Sequence, residues 1–186
     1  MNNKNKTIII SLFGPPGCGK STCAAYCFAK LKMMGVNCEL VTEFAKDKVW
    51  EQNNEALSNQ IYIFAKQYYR ITRCVGKVDV IVTDSPLALS PFYNKDPDID
   101  KPLKELVFSI NNKYNNKNYF LRRVKKYNPI GRLQTESESN EYGIRIKDML
   151  DANGFQYKEV DGDLMSVDVI IQDVMEDLNE MSKNLQ

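Results

Sequence analysis

The chain has 186 residues, 43% of them apolar and 26% charged, which is ordinary globular composition with enough length to bury a full core. A net charge of +1 excludes a global attraction to nucleic acid, so any basic surface must be local. The lack of histidine removes imidazole as general base or metal ligand, and no stretch reaches membrane-spanning length.

The polar start Met1–Lys6 predicts no secretory leader. Thr7–Phe13 then reads as a buried strand, with Ile8, Ile9, Ile10, Leu12 and Phe13 as apolar bulk. It runs into Gly14-Pro15-Pro16-Gly17-Cys18-Gly19-Lys20-Ser21, which fits the phosphate-loop pattern of glycine, four residues, then Gly-Lys-Ser/Thr. A helix follows, from Ser21 to about Lys32, and Gly35 ends it. Strand, glycine loop and helix together make an anion cradle. Backbone N–H groups and the helix N-terminus point at the phosphates, and glycines let them approach. The expected nucleotide contacts are Gly14, Gly17, Cys18, Gly19, Lys20, Ser21 and Thr22. Lys20 places its charge on the β- and γ-phosphates of ATP, and the Ser21 hydroxyl is an expected Mg²⁺ ligand. The five cysteines, Cys18, Cys23, Cys27, Cys38 and Cys74, form no Cys-x-x-Cys pair, and a disulfide at Cys18 would hinder the loop. They read as reduced thiols of a cytoplasmic protein.

Cys38–Val41 is a second strand, ending at Thr42-Glu43-Phe44, and Ala45–Trp50 starts a helix or lid-like loop. Leu57, Ile61, Phe64, Tyr68 and Ile71 share a helix face, so one long helix is expected over Asn54–Cys74. Val78–Thr83 is a third strand, and it runs directly into Asp84-Ser85-Pro86. An acid at this point holds Mg²⁺ directly or through water; the plainer alternative is a cap on the next helix. Pro102 opens a helix with Leu103, Leu106, Val107 and Ile110 inward. Asn111–Asn118 reads as exposed, low-complexity chain without chemistry. Tyr119–Leu121 is a fourth strand ending at Arg122-Arg123, and an irregular basic segment with Arg132 follows. Glu136–Asn153 is a helix and Phe155–Val160 a fifth strand, ending at Asp161-Gly162-Asp163. Ser166 is expected to cap a last helix with Val167, Ile170, Ile171, Val174 and Leu178 inward.

This alternation predicts an α/β, three-layer P-loop NTPase fold: about five mostly parallel strands, helices on both faces, and a single domain over 1–186. A phosphate loop alone does not separate a kinase from an ATPase. Three features favour the kinase. The chain leaves little room for partner-sensing modules. Arg122, Arg123 and Arg132 form an expected lid, about 122–137, that excludes water and stabilises the transferring phosphoryl group. Glu43 and Asp84 end two strands that should flank the loop, so one can take a proton from a substrate hydroxyl while the other serves the metal.

These motifs resemble the nucleoside and nucleotide kinase branch of P-loop proteins. Deoxynucleoside kinases carry a Val-Thr-Glu-Pro-like strand end followed by Trp, similar to Val41-Thr42-Glu43 and Trp50, and the family's base matches Glu43. Their Glu-Arg-Ser motif resembles Asp84-Ser85-Pro86, with Ser90 and Tyr93 downstream. Thymidylate kinases have Asp-Arg at that point, where this chain has Ser85 in place of the arginine. Tyr119–Asp163 is also similar to small phage-encoded P-loop proteins related to ribosylnicotinamide kinases and to kinases acting on hydroxymethyluracil in DNA. The resemblance implies ATP and Mg²⁺ as cofactors and a nucleoside-like small molecule or modified DNA as acceptor. A regulatory nucleotide-binding ATPase is the alternative. The sequence does not indicate the oligomeric state.

Overall fold

β1 (Ile8–Phe13) is buried along its whole length. Its period-two alternation feeds both faces of a sheet: Ile8, Ile10 and Leu12 pack on one side, Ile9 and Phe13 on the other. Each such side chain contributes about 1.5–3 kcal/mol when fully buried, so the loop after β1 hangs from a rigid support. The computed structural model describes residues 6–130 and 134–183. Four further strands, β2 (Cys38–Val41), β3 (Val80–Thr83), β4 (Asn115–Arg122) and β5 (Lys158–Asp161), complete a sheet of order β2-β3-β1-β4-β5. Every pairing is parallel. All five carboxyl ends therefore lie at one end of the sheet, where open α/β folds bind ligands.

The helices are α1 (Lys20–Met33), α2 (Phe44–Trp50), α3 (Asn54–Ser58), α4 (Gln60–Thr72), α5 (Asp100–Asn111), α6 (Glu136–Ala152) and α7 (Leu164–Lys183). On one face α1 offers Cys23, Ala24, Cys27 and Leu31 to Val167, Ile170, Ile171 and Val174 of α7. On the other face α4 and α5 bury Phe64, Ile71, Leu103 and Val107, and α6 buries Ile146 and Leu150 against Phe13 and Phe120. The result is the expected three-layer α/β arrangement.

Several local expectations are corrected. The helix expected over Asn54–Cys74 is two helices, because Asn59 leaves helical geometry between them. Asn53 and Asn59 each turn a side-chain oxygen on the next helix start, accepting from Ala56 N–H at 2.9 Å and Tyr62 N–H at 3.0 Å. Asparagine competes for backbone donors in this way and makes a cap. The Asn- and Lys-rich segment is not all exposed loop. Asn115–Asn118 is the first half of β4 and pairs with Ile8–Ser11. Its polar side chains are satisfied locally: Asn116 donates to Asn111 C=O at 2.8 Å, and Lys117 pairs with Asp173 and Asp177. The last helix begins before Ser166. Asp163 is the capping acid, accepting the Ser166 N–H at 2.8 Å, while the Ser166 hydroxyl accepts from Asp161 N–H. The third and fifth strands start later than expected, at Val80 and Lys158.

Candidate active site

The loop after β1 is wedged between the ends of β4 and β5. A Cβ at Gly162 would lie 1.7 Å from the Cys18 carbonyl oxygen, and one at Gly19 would lie 2.7 Å from the Gly162 oxygen. Gly162 N–H donates to Arg122 C=O at 2.8 Å, tying the end of β5 to the end of β4. Gly14 and Gly19 hold φ values of 137° and 109°, which side chains disfavour. The Cys18 side chain is buried, so that residue offers the loop only its backbone, whereas Ser21 and Thr22 are exposed at the start of α1. Lys20 Nζ bonds the carbonyls of Gly14 at 2.7 Å and Pro15 at 3.0 Å, which folds the ammonium over the loop.

Asp84 follows β3 and is nearly buried, and its Oδ1 accepts the Glu43 N–H at 3.1 Å. Burial raises both carboxyls above their ordinary range. The Lys20 ammonium opposes the rise at both, and the Asp84 charge adds to it at Glu43. Lys20, at the start of α1, thus acts electrostatically on Glu43 and Asp84, which follow β2 and β3, and Ser21 comes next to Lys20 on α1. This donor set fits Mg²⁺, a hard cation held through oxygens, one or two carboxylates and substrate phosphates. Gly14 and Gly19 leave no room for a side chain between the loop and the ends of β4 and β5, and this glycine loop at the start of α1 fits a phosphate chain.

Glu43 heads a narrow cleft of about 40 Å³, walled by Gln60, Ile63, Gln67, Ser85, Leu89, Ser90 and Tyr93. Burial pushes the Tyr93 hydroxyl up, and the Glu43 charge adds to that. Two glutamines were not anticipated. Gln67, only 3% exposed, accepts Phe44 N–H at 2.9 Å and donates to Ser85 C=O at 3.2 Å, so it clamps the segments after β2 and β3 together. Gln60 is 8% exposed, and its Oε1 is sealed from solvent without a hydrogen-bond partner. Leaving such a group unpaired costs about 1–3 kcal/mol. The signal was present: Gln60 and Gln67 fall at helical spacing with Ile63, Phe64 and Ile71, polar members of an otherwise apolar stripe.

The lid arginines sit elsewhere. Arg122 pairs with Asp161 at 2.7 Å, and Arg123 bonds Ser139 and Asn140, pairs with Glu136 and lies over the Tyr127 ring. Both line a second hollow, on the α6 side of Pro15, rather than the cleft of Glu43. Arg132 lies outside the described residues. Trp50 is 67% exposed on α2 and does not line the cleft. Arg70 is held by Asp47 and over the Phe44 ring. No helix among the described residues is long and apolar enough to cross a membrane.

The profile of the AAA domain family matches residues 9–166. The chain is 32% identical over 91 residues to protein RecA of Anaplasma marginale, a match covering 45% of this chain and 25% of RecA. It therefore spans about a quarter of the curated relatives it matches. Among solved structures it is similar to deoxyadenosine kinase from M. mycoides with bound dATP, at 20% identity and a TM-score of 0.58, covering 92% of this chain and 99% of that one. It is also similar to the APS kinase CysC of Mycobacterium tuberculosis in complex with AMPPNP and APS, at 11% identity and a TM-score of 0.50, with 92% and 99% covered. At these identities the likeness is one of fold: the α/β architecture of P-loop kinases.

Proposed function

Because the chain belongs to the AAA domain family and has the fold of P-loop kinases, we propose that it is an ATP-dependent phosphotransferase acting on a nucleoside-like acceptor. The observation that carries this reading is the placement of two desolvated acids after neighbouring strands: Asp84 accepts the Glu43 backbone N–H, Lys20 acts on both carboxyls, and Glu43 lines a narrow cleft.

In this account Gly14, Gly17, Cys18, Gly19, Lys20, Ser21 and Thr22 hold the triphosphate through backbone amides and the Lys20 ammonium. Ser21 and Asp84 are the residues that would hold Mg²⁺. When bound, Mg²⁺ neutralises charge on the β- and γ-phosphate oxygens. Glu43 accepts the proton of the acceptor hydroxyl while that oxygen bonds to the γ-phosphorus and the bridge to the β-phosphate breaks, leaving ADP. Asp84 is the other candidate for this proton. Arg122 and Arg123 serve the transferring charge only after leaving their ion pairs. Those pairs also favour a small acceptor over a DNA backbone, which would need the basic segment free.

The test is transfer of label from γ-labelled ATP to a panel of nucleosides, nucleotides and modified DNA, by the wild type and by Lys20→Ala. Acceptor-dependent transfer that Lys20→Ala abolishes supports the proposal. Steady ATP hydrolysis that no acceptor alters contradicts it.

A further inference from the structure

Besides the wedge at Gly162, two groups of contacts hold the phosphate loop, one from inside it and one from outside. On the inside Lys20 Nζ bonds the Gly14 and Pro15 carbonyls, and Cys18 N–H donates to Pro15 C=O at 3.2 Å. A lysine that turns to a triphosphate gives up those two carbonyls, so the inner hold slackens when it is needed. On the outside the hold comes from α6. Ser139 is fully buried, and its hydroxyl donates to Pro16 C=O at 2.7 Å. One turn further on, Gly143 lets α6 approach the loop closely: a Cβ there would lie 3.3 Å from Pro15 Cγ. Pro15 also borders the second hollow, which measures about 420 Å³, so α6 does not back the loop along its whole length.

The direction of the Ser139 bond is set by Arg123. One guanidinium nitrogen donates to Ser139 Oγ at 3.3 Å, and a guanidinium accepts nothing, so the hydroxyl proton is left for Pro16. A serine within a helix otherwise tends to bond the carbonyl four residues back. Arg123 is itself held in place. Its side chain is 11% exposed, bonds Asn140, pairs with Glu136 and lies over the Tyr127 ring. Hydrogen bonds in such a chain polarise one another, so the Arg123–Ser139 and Ser139–Pro16 bonds strengthen together.

We infer that Ser139 is a positioning residue for the triphosphate: through Pro16 C=O it keeps the loop in its phosphate-binding shape once Lys20 has left the loop carbonyls. The inference rests on the reading of the loop as a triphosphate site and is independent of where the γ-phosphate goes. Ser139 acts through the loop, so its effect is confined to ligands that carry phosphates.

The experiment uses the full chain with Ser139→Ala and, as a control, Ser137→Ala, the same change at an exposed position of α6. Alanine is the best helix former, so neither change breaks the helix. Mg-ATP, magnesium pyrophosphate and adenosine are titrated by calorimetry. Ser139→Ala raises Kd for Mg-ATP and for pyrophosphate about tenfold, the factor one well-paired buried bond makes, and leaves adenosine unchanged. Ser137→Ala changes none of the three. Amide exchange at Cys18 and Gly19 is also followed by NMR without ligand, in the wild-type and Lys20→Ala backgrounds, because Lys20→Ala frees the same carbonyls that a bound triphosphate would. Ser139→Ala quickens exchange in both, and more in Lys20→Ala. Tight Mg-ATP binding that Ser139→Ala leaves unchanged overturns the inference and leaves the triphosphate site standing. An equal loss for adenosine, or exchange that Ser139→Ala quickens no more than Ser137→Ala does, also overturns it. A wild type that binds neither Mg-ATP nor pyrophosphate overturns the triphosphate reading, while quickened exchange in the same samples still supports Ser139 as the brace of the loop.

Discussion

Asp84 Oδ1 accepts the backbone N–H of Glu43 at 3.1 Å, and so joins the segment after β3 to the segment after β2. The side chain proposed to hold the metal thereby positions the main chain of the side chain proposed to take the proton. A change at Asp84 should be felt at Glu43.

The first prediction concerns charge. Both carboxyls titrate above their ordinary values of 4.5 and 3.8, chiefly through burial. A raised folded-state value means the folded form takes up the proton more readily. The stability these groups contribute is therefore present below the ordinary values and lost as pH rises through the folded ones. Asp173 works in the opposite sense, because hydrogen bonds from Lys158 and Tyr119 outweigh its burial, so the comparison must be between variants. Glu43→Gln should lower turnover strongly with a hydroxyl acceptor and raise the melting temperature without nucleotide at pH 8. A gain of about 2–4 °C corresponds to ~1 kcal/mol in a chain of this size. Calorimetry at pH 5 and 8 checks it: the gain shrinks at pH 5.

The second prediction concerns the clamp. Gln67→Leu leaves the Phe44 N–H and the Ser85 C=O without their side-chain partners. A loss of about 1–3 kcal/mol follows for each buried group left unpaired. Urea unfolding should show the loss, and turnover should fall further than the folded fraction accounts for, because Glu43 and Asp84 lose their common brace.

The third prediction concerns the wedge. Gly162→Ala puts a carbon on the Cys18 carbonyl, and that contact is backbone against backbone. The loop must shift. ATP affinity should fall at least tenfold, about 1.4 kcal/mol, with the secondary structure seen by circular dichroism unchanged. Titration of ATP into Gly162→Ala measures it.

The fourth prediction uses the thiols. Burial pushes Cys23 to about 11 and Cys27 to about 12. Reactivity follows the thiolate, so both should resist alkylation at pH 8 in the native protein and react once urea unfolds it. Mass spectrometry after brief iodoacetamide treatment reads this residue by residue.

The phosphate loop was legible because its signal is local: residues adjacent in sequence build it, and the apolar run of β1 places it. Glu43 and Asp84 were legible as acids at strand ends. Asn115–Asn118 was not, because its strand conformation comes from pairing with buried β1, and composition alone argues the other way. The helix break at Asn59 was hidden by an apolar periodicity that continues across it. Gln60 and Gln67 escaped notice because a helical stripe is read from its apolar members, and the role of Gln67 depends on the Phe44 N–H and Ser85 C=O that segments distant in the chain bring within reach. Arg122 and Arg123 were visible as charges, but their ion partners come from β5 and α6, distant in the chain.

The most direct test of the central claim is calorimetric titration of Mg-ATP and of adenosine into the wild type and Lys20→Ala. The account predicts that the wild type binds Mg-ATP far more tightly than adenosine, and that Lys20→Ala loses this preference while remaining folded. Equal affinity for the two, or a preference for Mg-ATP that survives Lys20→Ala, would contradict it.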